Sequence, residues 1–334
     1  MALYLKEAIV RNSPDEARRL LRRFIDFPES NQYLFLNGES LMHIAAKNSN
    51  PIFCQMLYEY NFPTDSNEES TSLDVESPLF IAIRNKNNET AMFLIRTGAS
   101  LEGIDSETEF PLLAFACKQG NIDMVKLLIQ SKKIKIDQNF GIKGLVCLSP
   151  LYIASMYGHL EIAKLLLEHG ANVNHSLEDG TKMTPIFQSI LRGDYKMTRL
   201  FVNYGAKINT LTLSGMSPLH LATQLNHPDI ITLLLNRGAN IHIRRPDKGT
   251  PLHTAVDYGN PDSFAILMRK GAKFTIRDHL RRKALLYPTV SPNPYTWIKG
   301  GNPSPDAQIQ KLKEWRMKPD ECRKFTIFDS EEGN

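Results

Sequence analysis

The sequence predicts an all-α solenoid of repeated helix-turn-helix units, and three observations carry that prediction. A six-residue phrase recurs: Ser40-Leu-Met-His-Ile-Ala45, Ser77-Pro-Leu-Phe-Ile-Ala82, Ser149-Pro-Leu-Tyr-Ile-Ala154, Thr184-Pro-Ile-Phe-Gln-Ser189, Ser217-Pro-Leu-His-Leu-Ala222 and Thr250-Pro-Leu-His-Thr-Ala255. Its sixth position falls at Ala8, Ala45, Ala82, Ala116, Ala154, Ser189, Ala222 and Ala255, at spacings that tighten toward 33 residues. An apolar run follows each phrase, and a Gly-Ala pair closes five of the six, at Gly98, Gly170, Gly205, Gly238 and Gly271. A period of this length marks a repeat architecture in place of the two globular domains that 334 residues would otherwise suggest.

Each element of the unit has a local cause. Ser or Thr before Pro supplies an N-cap oxygen to the first turn, and Pro at the first helical position has no amide to leave unsatisfied. Leu151, Leu219 and Leu252, each with an alanine three residues on, form an apolar stripe whose small member admits a neighbouring helix. A small-polar pair then turns the chain, as at Gly158-His159, Gly193-Asp194, Asn226-His227 and Gly259-Asn260. The second helix ends at the glycine, which adopts the left-handed conformation at little cost. The fourth unit departs, with Phe110-Pro-Leu-Leu-Ala-Phe-Ala116 placing Pro one position early, and the first lacks the Thr-Pro.

Three connections exceed the period: Asn61 to Glu76, Ser131 to Leu148 and His175 to Met183. The first is polar and acidic. The second carries Phe140, Ile142, Leu145 and Val146 and is too apolar to be a spacer alone. After Pro288 the text turns rich in Pro, Gly and Ser, and 306–316 forms a short helix with Ile309, Leu312 and Trp315 along one side, expected to cap the last repeat.

These phrases resemble the ankyrin repeat, whose 33-residue T-P-L-H-x-A unit is a β-turn followed by two antiparallel helices. The resemblance covers about residues 3–285 and implies an ankyrin-repeat α-solenoid of about eight repeats plus a degenerate C-terminal cap, with β-hairpin fingers joining the units. The repeats fall near 1–36, 37–73, 74–107, 108–145, 146–180, 181–213, 214–246 and 247–279, in a domain spanning 1–287 ahead of a 288–334 tail. The resemblance further implies a non-enzymatic scaffold or adaptor that binds a protein partner in a concave groove made by the fingers and first helices. Residues two and three places after the motif alanine then face that groove: Met156, Tyr157, Leu191, Arg192, Gln224, Leu225, Asp257 and Tyr258. The fingers add Leu145, Val146, Met183, Leu213 and Met216, and Arg244 and Arg245 attract an acidic segment. The corresponding early positions are Lys47, Asn48, Arg84, Asn85, Lys118 and Gln119, so the groove is expected to be polar early and apolar late. Two alternatives stand beside an endogenous adaptor: a pathogen or parasite effector engaging a host protein, and the substrate-recognition subunit of a larger assembly such as a ubiquitin ligase.

Composition and motifs exclude other classes. Hydrophobic residues make up 42% and charged residues 23%, which is globular, and no stretch is long and apolar enough to span a membrane. No signal peptide is visible, and four scattered cysteines, Cys54, Cys117, Cys147 and Cys322, read as buried thiols of a reducing compartment, cytoplasmic or nuclear. Net charge is +4 but unevenly spread: 59–109 holds eleven acidic against three basic residues, and 244–283 ten basic against four acidic. The run Arg277 to Lys283 lacks interleaved aromatics, so nucleic acid is not expected as a partner, and the chain is read as a monomer. His43, His220 and His253 stand at the fourth motif position, where a ring bonds nearby backbone. His169 and His175 lack the further ligands of a zinc site, Glu68-Glu69 sits in a solvated loop, and no phosphate-binding or nucleophile motif occurs. Catalytic residues, metal ligands and cofactors are therefore all expected to be absent.

Overall fold

The computed structural model describes residues 2–24, 39–65, 76–102, 104, 110–137, 140–142, 145–177, 181–280 and 284, arranged as two compact units, Met1–Asn172 and Val173–Asn334. Sixteen helices lie among the described residues. Unit 1 holds α1 (Ala2–Val10), α2 (Pro14–Phe24), α3 (Leu41–Lys47), α4 (Ile52–Glu59), α5 (Pro78–Arg84), α6 (Asn88–Arg96), α7 (Leu112–Gln119), α8 (Ile122–Gln130), α9 (Pro150–Tyr157) and α10 (Leu160–Glu168). An antiparallel hairpin of β1 (Phe140–Ile142) and β2 (Leu145–Leu148) precedes α9, with Phe140 opposite Leu148 and Ile142 opposite Leu145. Unit 2 holds α11 (Pro185–Leu191), α12 (Tyr195–Asn203), α13 (Pro218–Gln224), α14 (Pro228–Asn236), α15 (Pro251–Asp257) and α16 (Pro261–Arg269). Each unit is an all-α repeat solenoid in which first helices pack on first helices and second helices on second helices. The tail, with its expected 306–316 capping helix, lies outside the described residues.

The recurring phrase starts the first helices as its chemistry requires. Prolines 78, 150, 185, 218 and 251 open their helices, and Ser77, Ser149 and Ser217 each accept the third helical amide at 3.2 Å. Where the fourth position is histidine, the bond is reciprocated: the N-cap amides of Ser40, Ser217 and Thr250 donate to Nδ1 of His43, His220 and His253 at 2.9, 3.3 and 3.2 Å. Two units depart from the expectation. Thr184 makes no side-chain cap, and the Phe187 amide donates instead to the Thr184 carbonyl. In the fourth repeat the early Pro111 becomes the N-cap itself, and the helix keeps the common register, beginning at Leu112 four residues before Ala116.

The eight landmark residues Ala8, Ala45, Ala82, Ala116, Ala154, Ser189, Ala222 and Ala255 are all essentially sealed from solvent. Ser189 keeps its hydroxyl satisfied by donating to the Ile186 carbonyl and lying 2.9 Å from the Thr198 hydroxyl. Phe53, Phe80, Phe187, Phe201 and Phe264 are the largest sealed side chains. Cys54 and Cys117 are buried thiols, as expected; burial pushes Cys54 up to about 12 and Cys117 higher, so both remain protonated.

Two families of side-chain bonds couple repeat to repeat. The N-cap residue of a second helix reaches back to carbonyls ending the previous first helix. Asn87 donates to Ala46 and Asn48, and Asn260 to Thr223 and Gln224, at 2.8–3.2 Å. His159 lies 3.2 Å from the Lys118 carbonyl with its ring against Gly120, where a β-carbon would meet the imidazole at 2.7 Å. In the fingers, an Asp or Asn accepts from the amide two residues beyond the next helix stop: Asp65 from Ser100, Asp137 from Asn172, Asn174 from Lys207 and Asn209 from Asn240. Asn174 and Asn209 also donate to the Gly205 and Gly238 carbonyls.

Glycine fills most left-handed turns, but Lys86, Lys132, Lys182 and Lys248 occupy equivalent slots at φ 58°, 56°, 58° and 61°. A β-carbon there costs about 1–2 kcal/mol, partly offset by the greater freedom glycine loses on folding. Lys86→Gly and Lys132→Gly are each expected to stabilise unit 1 by about 0.5–1 kcal/mol. Slower amide hydrogen exchange in α5–α8 checks this, and Lys→Ala at the same sites should give no such gain.

Candidate protein-interaction surface

The fingers and the ends of the first helices meet through a residue pair eight positions apart, one from each. In unit 1 the pairs are Glu39 with Lys47, Glu76 with Arg84, and Phe110 with Lys118. The first two are ion pairs; in the third the ammonium sits 5.4 Å from the centre of the phenyl ring. Arg84 also lies 5.9 Å from the ring centres of Phe80 and Phe115, which pack on each other at 4.9 Å, and Gln119 donates to the Arg84 carbonyl. The early cations are thus engaged within their own unit.

The same positions change chemistry afterwards. They become Leu148 and Met156, then Met183 and Leu191, then Met216 and Gln224. Leu148 is buried, Met156, Met183, Met216 and Gln224 are half-buried, and Leu191 is 44% exposed. One residue beyond each helix-end member stand Tyr157, Arg192, Leu225 and Tyr258, all exposed. Tyr157 stacks on His159 with ring planes 8° apart.

The sequence-predicted set divides between the units, with Met156 and Tyr157 in unit 1 and the remainder in unit 2. Within unit 2, Leu191 is the last residue of α11 and Leu225 and Tyr258 are the C-caps of α13 and α15, exposed to 44%, 36% and 52%. The fingers beside them are joined edge to edge. Leu177, Thr212 and Arg245 donate backbone bonds to Met183, Met216 and Gly249 within their own fingers, and Leu213 donates to Thr181 in the preceding one. Leu213 projects from this row at 69% exposure, the highest of any large hydrophobic residue among those described.

The basic finger is more self-contained than its composition suggests. Arg245 is mostly buried, 2.9 Å from Asp247 and 3.6 Å from Asp257, so its charge is largely met inside the finger. Arg244 is exposed. Asp257 stands at a groove position as a partner of Arg245. Of the apolar finger before α9, Leu145 and Val146 belong to β2, and their side chains lie outside the described residues.

Burial holds His43 and His220 at about 4, below the ordinary histidine range, and His227 is also lowered by burial. Both strongly shifted rings serve as caps of first helices, with His220 Nε2 3.3 Å from the Gly249 carbonyl of the next repeat. Their place is structural. Among the described residues there is no group of three or more His, Cys, Asp or Glu side chains able to hold a metal ion, and no helix long and apolar enough to cross a membrane.

Sequence reasoning did not find the eight-residue pairs, although Glu39/Lys47 and Glu76/Arg84 repeat in the text at the same offset. It also missed the Asx bonds between fingers, whose signal was an Asp or Asn recurring four or five residues beyond each helix stop.

A family model described as ankyrin repeats (3 copies) matches residues 42–140, 79–176, 151–245 and 208–278. The chain is 24% identical over 188 residues to transient receptor potential cation channel subfamily A member 1 of Drosophila melanogaster, covering 55% of this chain and 16% of that protein. It is 31% identical over 153 residues to an ankyrin repeat protein of Acanthamoeba polyphaga mimivirus, covering 46% of this chain and 19% of the relative. To the human Arf-GAP with coiled-coil, ANK repeat and PH domain-containing protein 2 it is 36% identical over 83 residues, 25% of this chain and 11% of that one. The matched segment spans less than a fifth of the length of each of these three relatives.

Proposed function

Because the chain belongs to the ankyrin repeat family, a family of protein-interaction modules, we propose that it is a non-enzymatic scaffold whose later repeats bind a protein partner through fingers and first-helix ends. One observation carries this reading: the facing pairs change from the ion pairs Glu39–Lys47 and Glu76–Arg84 in unit 1 to Met183–Leu191 and Met216–Gln224 in the first two repeats of unit 2, beside exposed Leu191, Leu225 and Tyr258. Isolated exposed apolar residues are ordinary, but a periodic set on adjacent helices with tyrosine and arginine at its margin has the composition of an interface hot spot. The early pairs satisfy each other, and so offer a partner little that desolvation would not cost.

Capture from the native cell with the full chain as bait, followed by mass spectrometry, identifies the partner. Tyr258→Ala and Leu225→Ala are then each expected to weaken binding by about 1–3 kcal/mol with the fold unchanged, measured by calorimetry. Normal binding by both variants, together with loss on substitution of Lys47, Arg84 and Lys118, would place the site in the early repeats and overturn the reading.

A further inference from the structure

The second helices of unit 2 carry a row of exposed cations on a different set of residues from the surface just described. Lys196 and Arg199 lie on α12, Arg237 caps α14, and Arg269, Lys270 and Lys273 close α16 and its turn. On these three helices the acids are Asp229 and Asp262. Two of the cations are held from one repeat earlier by neutral acceptors: Arg237 Nη1 donates to Asn203 Oδ1 at 2.7 Å, and Lys270 Nζ to Asn236 Oδ1 at 2.8 Å. An amide oxygen orients a cation without cancelling its charge. Lys47, Arg84 and Arg245, by contrast, are held by carboxylates. A shallow cavity of about 560 Å³ lies beside this row, lined by Tyr195, Arg199, Thr232, Asn236 and Arg237, with Asp229 at its wall.

We propose that this face docks an extended acidic segment of a protein partner, with carboxylates recurring about every third residue. Adjacent packed helices stand about 8–10 Å apart, and a segment extended as a polyproline II helix advances about 3.1 Å per residue with three residues per turn, so every third side chain faces the same way and reaches the next repeat's cations. Arg199 and Arg237 take successive carboxylates, and the Tyr195 and Thr232 hydroxyls and the Asn236 amide offer bonds to the peptide backbone. The carboxylate of Asp229 selects a peptide over a nucleic acid: it accepts a peptide N–H, but opposes a phosphate in a strand whose every unit is charged. A partner held here leaves the fingers open for the proposed docking site on the other helices.

The test uses the full chain and a fluorescent dodecapeptide of four Glu-Ser-Gly units, followed by anisotropy at two salt concentrations. Saturable binding that weakens with salt is expected, with at least tenfold loss in the Arg199→Glu/Arg237→Glu variant. Asn203→Ala/Asn236→Ala, which keeps every charge but releases Arg237 and Lys270, is expected to weaken binding severalfold. Lys126→Glu/Lys164→Glu, on the second helices of unit 1, is expected to leave it unchanged, and far-UV circular dichroism confirms that each variant is folded. The proposal is overturned if the peptide shows no saturable binding, if the unit 1 reversal costs as much as that in unit 2, or if single-stranded DNA or phosphatidylserine vesicles bind more tightly than the peptide.

Discussion

Lowering the pH from 7 to 5 is expected to destabilise both units, by about 2 kcal/mol for each of the two capping histidines His43 and His220. Both rings are buried, one in each unit, and burial lowers their proton affinity from 6.5 to about 4. Between those values the unfolded chain binds protons that the native chain refuses, so stability falls as pH falls through 6.5 and levels off below about 4. Protonation has a second cost here, since Nδ1 of each ring accepts the N-cap amide and a protonated nitrogen cannot accept. Urea unfolding at pH 7 and pH 5 measures the loss. His220→Gln, which removes the titration, should be less stable than wild type at pH 7 but flatten the pH dependence of unit 2. An equally steep profile in the variant would assign the acid sensitivity to carboxylates instead.

Gly215→Ala is expected to cost about 2–3 kcal/mol, an effect of backbone strain and close approach together. Gly215 turns its finger at φ 76°, and a β-carbon there would stand 2.0 Å from Cδ of Pro246 in the following finger. The proline ring has no rotamer by which to retreat, so the fingers must part. That movement strains the bond from the Leu213 amide to Thr181 and shifts Leu213 itself, so the variant should weaken partner binding as well as stability. Thermal unfolding and the affinity of the captured partner are the two readouts. A change in affinity without a change in melting temperature would show that the finger yields freely.

Much of the fold was legible because its decisive features are local. A serine followed by proline at positions 77, 149 and 217 encodes cap and first residue together, and the helices begin where those pairs put them. The fourth repeat shows the limit of that rule, since proline one place early became the N-cap and the helix still began at Leu112, four residues before Ala116 as in the other repeats. What escaped the sequence are the features whose partners lie a full repeat away. The Asn87 and Asn260 latches each span 36–41 residues, and nothing near either asparagine indicates where its amide will point. The candidate surface was half visible for the same reason. Exposure of Leu191, Leu225 and Tyr258 followed from their place after the motif alanine, but the capture of Arg245 by Asp247 and Asp257 depends on how its finger folds. Charge counted along 244–283 blended two opposing sets of helices, and so hid the row that joins Arg199, Arg237 and Lys270.

The Asx bonds between fingers also bear on how such a chain can lengthen. Asp65, Asp137 and Asn174 each fasten a neighbouring repeat from the first residues of a finger, and the surplus over the basic period lies downstream of that anchor, save for one residue ahead of Asp137. Register is fixed before the variable stretch begins, so a duplication or an insertion there leaves the stacking of helices untouched. The finger behind Asn209 keeps the minimal length, and it carries the same anchor. A foreign loop grafted between Thr212 and Met216 would therefore be tethered at its root, which makes that finger the natural place to give this scaffold a recognition element it did not inherit.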